Sequence, residues 1–140
     1  MLWLNSDGKR YCNEGNVTGA ATATARQKAG DGYLVTDKNF MKSICAGGIE
    51  HAAPNGGRPQ YYQDLIDDMA AIPTGKSEPT QIRGCFVAER MGAAVYKADT
   101  LDQLADLMGV SAESKQTWLD SIAHYNELCA AGADTDFGKD

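Results

Sequence analysis

The apolar and polar positions of the first third of the chain predict a hairpin, a helix and a strand. MLWLN and KRYC lie on either side of the turn SDG (6–8), and Asp-Gly between two apolar-rich runs is a strong β-hairpin signal. The alanine-rich stretch that follows predicts a helix that begins at Thr18 or Gly19 and ends at Gly30. The apolar run YLVTD (33–37) then predicts a buried strand.

The middle of the chain alternates short helical patterns with glycine- and proline-rich breaks. Residues 38–45 predict a short helix, and YYQDLIDDMAAI (61–72) predicts a second one from its apolar positions at i, i+3, i+4 and i+7. Between them, AGGIEHAAPNGGRPQ (46–60) predicts a long loop, and loops of this length are often functional. The segment 81–91 is compatible with either a helix or a strand.

The last third of the chain has the clearest helix boundaries. AAVYKAD (93–99) predicts a strand, and Thr100 opens a capping box for a helix that Gly109 ends. Ser111 is the predicted cap of a longer helix ending at Gly132. The apolar positions of that helix keep helical spacing: Trp118, Leu119, Ile122, Tyr125 and Leu128 or Cys129. Strands and helices mix without a regular βαβ repeat, so the predicted class is α+β, with short strands, several helices and a long C-terminal helix.

Length, composition and charge exclude several functional classes. With 140 residues, 43% of them hydrophobic and 23% charged, the chain is expected to form one globular domain. The net charge of −6 gives no electrostatic footprint for nucleic acid. No apolar run approaches the ~20 residues of a membrane span. A soluble protein is therefore predicted, and its compartment stays open between the bacterial cytoplasm and an exported location.

The cysteines and the titratable residues do not form a recognisable catalytic or metal site. Four cysteines lie far apart without a CxxC pair, which favours buried free thiols over zinc ligands and leaves a disulfide open. His51 lies beside Glu50 in the predicted loop, as a general acid, a substrate contact or a solvated side chain. His124 is expected on an exposed helix face, and Arg10 and Glu14 are expected to form a local ion pair. No glycine-rich nucleotide motif is present.

Two stretches of the chain resemble segments of one flavoprotein family. LWLNSDGKRYCNE (2–14) resembles a hairpin pattern N-x-x-G-x-R-(F/Y)-x-N-E. The stretch from VYKADTLDQLADLMGV to YNELCAAGADTDFGK (95–139) resembles a tail that ends Y-N-x-x-C-x-x-G-x-D-x-(D/E)-F-G-(R/K). Both patterns belong to the fumarate reductases and succinate dehydrogenases, including members similar to urocanate reductase and 3-oxosteroid dehydrogenase. Both fall in the capping domain that this family inserts into its FAD-binding domain.

The resemblance implies that residues 1–140 are a capping domain cut from a larger FAD-dependent enzyme. The intact enzyme would reduce or form a carbon–carbon double bond, with FAD held by a domain that precedes and follows the cap. The implied partners are the chain's own FAD-binding domain and a small-molecule substrate. The isolated piece is expected to bind no FAD and to be inactive. The alternatives are a stand-alone module that binds a small ligand or protein, and a structural interaction domain.

The chain departs from the family pattern at one position. The resemblance implies a proton-donating arginine four residues after Glu14, where Thr18 stands. Threonine cannot supply a cationic acid or a bidentate carboxylate contact, so a neutral or differently shaped enone, enoate or steroid is the preferred substrate. Asn13 and Glu14 are open to a structural role. The predicted substrate-facing residues are Glu14, Asn16, Thr18, Glu50 and His51.

Overall fold

A computed structural model describes residues 1–30, 32–40, 67–81 and 94–139, with residues 17, 81 and 94 described by their backbone alone. The chain divides into two compact units. The first combines Met1–Asp37 with Gly109–Asp140, and the second is Lys38–Met108. The predictions for residues 41–66 and 82–93, including the long loop with Glu50 and His51, lie outside the described residues.

A two-stranded antiparallel sheet forms one side of the first unit. Strand β1 (Leu2–Leu4) pairs with β2 (Tyr33–Val35), with Trp3 opposite Leu34. Leu2, Leu4 and Val35 are buried, whereas Leu34 is 49% exposed, so the buried strand predicted at 33–37 is present over Tyr33–Val35 and is buried on one face. Alternate residues of a strand point to opposite faces, and only one face of this sheet is covered.

The turn of the predicted hairpin is present, but its second arm is not a strand. Gly8 N donates to Asn5 O, and Asn5 N donates to Lys9 O, each at 2.9 Å. The pairing beyond this turn is a single bridge between Leu4 and Arg10. The ladder partner of β1 is therefore β2, which lies much further along the chain.

Helix α1 (Val17–Ala25) is shorter than predicted. Asn16 caps it by accepting a hydrogen bond from Gly19 N at 2.9 Å, and the helix ends well before Gly30. Thr24 Oγ1 donates to Ala20 O at 2.9 Å, a local bond that competes with the helical pattern. Gly30 does adopt the left-handed conformation, at φ +70°, in a separate turn closed by a bond to Gln27 O.

The long helix at the end of the chain supplies the other side of the first unit. Ser111 caps the helix through Ser114 N, as predicted. Gly132, at φ +67°, follows its last residue. Trp118 is fully buried, and Ile122 and Leu128 are nearly so. We call this helix (Ala112–Ala131) α3, because the shorter helix α2 (Leu101–Leu107) precedes it. Helix α3 contacts β1, so its apolar face and the strand share one core.

The second unit contains a short sheet and helix α2 (Leu101–Leu107). Strand β3 (Thr80–Gln81) pairs antiparallel with β4 (Ala94–Val95), which is shorter than the strand predicted at 93–99. Thr100 caps α2 by accepting from Gln103 N at 3.2 Å, as predicted. Residues 67–71 are helical, in agreement with the prediction for that part of 61–72.

Short sheets and helices, with a long helix near the C-terminus, confirm the α+β class. Strands and helices alternate irregularly along the described sequence, and both observed sheets are antiparallel. Within the described ranges, no helix combines the length and the apolar character that a membrane crossing requires.

Candidate functional site

The most developed polar site in the described part of the chain is a partly buried cluster around Arg10. Its guanidinium forms paired hydrogen bonds with two carboxylates. Nε and Nη2 donate to Glu14 at 2.8 and 2.7 Å, and Nη1 and Nη2 donate to Asp134 at 3.0 and 2.6 Å. The side chains of Arg10, Glu14 and Asp134 are only 6%, 0% and 8% exposed. The expected local pair is thus a buried triad, and Asp134 lies 124 residues from Arg10.

Two aromatic rings and a second cation complete the cluster. The Arg10 guanidinium lies 5.0 Å from the centre of the Tyr125 ring and 4.8 Å from that of Phe137, which is within cation–π range. Lys139 Nζ donates to the Tyr125 hydroxyl at 2.9 Å and lies 3.6 Å from Glu14 Oε2. Two cations therefore face two carboxylates, so the buried charge is balanced. We call these six residues the Arg10 cluster: Arg10, Glu14, Tyr125, Asp134, Phe137 and Lys139.

Local backbone bonds fix both carboxylates in the Arg10 cluster. Trp3 N, on β1, donates to Glu14 Oε1 at 3.3 Å. Asp134 Oδ1 accepts from the backbone nitrogens of Asp136 and Phe137, each at 3.1 Å, which folds the chain after α3 into a tight turn. The cluster therefore joins β1, the turn after α3 and the stretch that precedes α1.

The cluster lowers the pKa values of both of its carboxyl groups. Burial alone would raise the pKa of Glu14, but hydrogen bonds from Arg10 and from the backbone outweigh it, and the pKa is lowered. The hydrogen bonds from Arg10 are the main cause that lowers the pKa of Asp134 well below its usual range. Burial disfavours the charged form of Arg10 too, yet its two carboxylate partners raise its pKa. Both acids are therefore ionised at neutral pH.

These shifts predict a loss of stability in acid. A carboxyl group whose pKa is lower in the folded chain than in the unfolded chain binds fewer protons when folded, so protonation favours unfolding. The contribution of Glu14 and Asp134 is expected to be complete above about pH 5 and to be lost as the pH falls below the unfolded values near 4. The urea midpoint, followed between about pH 6 and pH 3, measures this. In an Arg10→Met variant the urea midpoint should fall less steeply with pH than in the unchanged protein. An equal slope in the two proteins would contradict the role of Arg10 in lowering the pKa values of Glu14 and Asp134.

The structure separates the predicted substrate-facing residues. Glu14 lies inside the Arg10 cluster with both oxygens bonded, and these contacts favour the structural alternative for it. Asn16 and Thr18 are exposed at the start of α1, where Asn16 is the cap. Glu50 and His51 lie outside the described residues. Asn16 and Thr18 are therefore the two candidates whose accessibility the described structure supports.

His124 occupies the exposed helix face on which it was expected. Its side chain is 53% exposed, and Nε2 lies 3.0 Å from Asp136 Oδ2. Asp136 belongs to the turn after α3, but its side chain bonds to His124 and not to Arg10. The pair is a surface contact beside the cluster.

The Arg10 cluster does not fit a phosphate-bearing cofactor. The guanidinium directs its donors at Glu14 and Asp134, and Lys139 is engaged by Tyr125. Across the ranges that the structure describes, no group of three or more His, Cys, Asp or Glu side chains is arranged to hold a metal ion. Cys12 is a buried thiol, as the sequence favoured, whereas the Cys129 thiol is exposed. The cluster holds together β1, the stretch that precedes α1 and the turn after α3.

Asp134, Phe137 and Lys139 are the members of the cluster that the residue-by-residue analysis missed. All three lie beyond the last predicted helix, and nothing in the local pattern connects them with Arg10. The available signal was the resemblance itself, because Asp134, Phe137 and Lys139 are the residues that match the D, F and K of the tail pattern.

No family model matches the chain, and no solved structure matches it either. Its functional interpretation therefore depends on the two family-like stretches and on the contacts between them.

Proposed function

We propose that the chain is the substrate-covering cap of an FAD-dependent oxidoreductase of the fumarate reductase kind, which reduces or forms a carbon–carbon double bond. One observation carries the proposal. Residues that match the hairpin pattern, Arg10 and Glu14, contact residues that match the tail pattern, among them Asp134. If the two matches were accidental, there would be no reason for their matching residues, so far apart in the sequence, to contact one another. The contacts support reading the two patterns as parts of one inherited site.

The cap would act on a substrate through the start of α1. In the intact enzyme FAD would supply or accept the hydride, and the cap would exclude water and orient the substrate. Asn16 and Thr18 offer neutral hydrogen-bonding groups there, and Thr18 O already accepts from Thr22 Oγ1 at 3.3 Å. A hydroxyl cannot balance the charge of a dicarboxylate, which favours a neutral or differently shaped enone, enoate or steroid over fumarate.

The test is the visible spectrum and the mass of the native polypeptide, purified from its source. We expect a yellow protein much larger than 15 kDa, with a flavin that dithionite bleaches and one class of acceptor recolours. A colourless native chain of 15 kDa would overturn the proposal and favour a stand-alone binding module.

Reoxidation of that reduced flavin also tests the substrate class. We expect neutral enones to recolour it faster than fumarate, with Thr18→Ala slowing the preferred acceptor. Thr22→Ala is the matched control, because it removes an exposed hydroxyl one turn further along α1. Rapid turnover of fumarate that survives Thr18→Ala would contradict the assignment.

A further inference from the structure

We propose that the segment after α3 (residues 133–139) is a clamp that positions residues 13–18, which include the predicted substrate-facing residues Glu14, Asn16 and Thr18, and that Arg10 and Asp134 are positioning residues. The link to a substrate rests on the proposed function. The mechanical link rests on contacts in the chain itself.

The first part of the link joins the clamp directly to Asn13. Asn13 Nδ2 donates to Phe137 O at 3.4 Å, and Asn13 Oδ1 accepts from Gly15 N at 2.8 Å. Asn13 O accepts from Asn16 N at 3.1 Å. A single side chain therefore contacts the clamp at one end and shapes the turn that leads to Asn16 at the other.

The second part of the link passes through Glu14, which is the only charged residue in residues 13–18. Arg10 holds the Glu14 carboxylate from one side and the Asp134 carboxylate from the other. Lys139 lies 3.6 Å from Glu14, and its side chain also passes over Gly15, with Cγ 3.8 Å from the point that a Cβ there would occupy. Glu14 therefore faces Arg10, which the clamp holds through Asp134, and Lys139 of the clamp, which also covers the backbone beside it.

The final part of the link runs from Asn16 into α1. Asn16 Oδ1 accepts from Gly19 N at 2.9 Å, and Asn16 O accepts from Ala20 N at 2.8 Å. Thr18 lies within this first turn, so its position follows that of the cap. Gly15, Asn16 and Thr18 are exposed, so among the side chains of this stretch that the structure describes, Asn13 and buried Glu14 anchor it.

Amide hydrogen exchange of the full chain tests the clamp without an enzyme assay. In Asp134→Asn we expect the bonded amides of Gly19 and Ala20 to exchange about tenfold faster, with the amides of Trp118 and Ile122 in the core of α3 unchanged. Asp120→Asn is the matched control, because it makes the same chemical change on the exposed face of α3, outside the clamp, where Asp120 Oδ1 accepts from Gln116 Nε2 at 2.7 Å. If Asp134→Asn does not fold, Arg10→Lys keeps the charge, loses the paired bonds and is measured in its place.

Two exchange results would overturn the clamp. One is no acceleration at Gly19 and Ala20. The other is an equal acceleration at Trp118, which would mean that the whole unit has been destabilised rather than one stretch released.

Kinetics of the native flavoenzyme add the functional part of the test. A loosened binding stretch should raise KM several-fold in Asp134→Asn with a smaller change in kcat, whereas a loss of folded enzyme would lower kcat and leave KM unchanged. Asp120→Asn, outside the clamp, should alter neither. An unchanged KM beside faster exchange would overturn the link to substrate. A native chain without flavin would defeat the proposed function, while the exchange result would still decide the mechanical link.

Discussion

The Arg10→Met substitution is expected to lower the free energy of unfolding by about 3–5 kcal/mol, the usual cost of removing one partner from a buried ion pair. Methionine preserves the apolar volume of the side chain but leaves Glu14 fully buried with Lys139, at 3.6 Å, as its remaining close cation. It also removes the contacts with the rings of Tyr125 and Phe137. Urea unfolding of the two proteins at neutral pH measures the difference.

Arg26→Met is the matched control for this prediction. Arg26 follows α1, is exposed, and undergoes the same change of side chain. Exposed substitutions of this kind usually change stability by less than about 0.5 kcal/mol. Equal losses in the two variants would mean that Arg10 acts only through overall charge, and would contradict the buried cluster.

The second large effect is expected at the turn after β1, where Gly8→Ala should lower the free energy of unfolding by about 3 kcal/mol or more. Gly8 has φ +80°, which disfavours any residue with a Cβ. The added Cβ would also lie 2.7 Å from Trp118 N and 2.9 Å from Ser114 O, both in the backbone of α3. The turn is held against that helix by a bond from Ser121 Oγ to Gly8 O at 2.7 Å, so it cannot withdraw without losing that bond.

Gly30→Ala is the control that separates the strain of a positive φ from the clash with the backbone of α3. Gly30 has φ +70°, but among the described residues no atom beyond its chain neighbours lies within 4 Å of the Cβ that the substitution would add. Its expected cost is therefore the conformational strain alone, about 1–2 kcal/mol. Thermal or urea unfolding of both variants gives the difference, and a Gly8→Ala cost no larger than that of Gly30→Ala would mean that the turn does not pack against α3 as described.

Features encoded by neighbouring residues were predicted well from sequence. Thr100 and Ser111 cap helices because each presents a hydroxyl to a backbone nitrogen three residues later. Gly109 and Gly132 adopt the left-handed conformation that follows a helix. Each of these interactions is complete within one turn of chain, so its residues can be read directly.

Features that depend on distant partners were not predictable from local pattern. A two-residue turn signal favoured pairing β1 with KRYC, yet β1 pairs with β2 because Leu2 and Val35 share a buried face. The same limit applies to the candidate site. Glu14 was recognised as a neighbour of Arg10, but its burial depends on Asp134 and Lys139 from the far end of the chain. Those residues appeared only through the family-like pattern.

The division of the first unit between the two ends of the chain has a consequence for its synthesis. Residues 1–37 leave the ribosome well before the helix that covers Leu2 and Leu4, which emerges only after the whole of Lys38–Met108. At roughly 5–20 residues per second, the apolar face of β1 waits several seconds for its partner. The second unit, being continuous in sequence, has no such delay. During that interval the nascent chain exposes the apolar face of β1, which is therefore a place where a chaperone would bind and where self-association would begin.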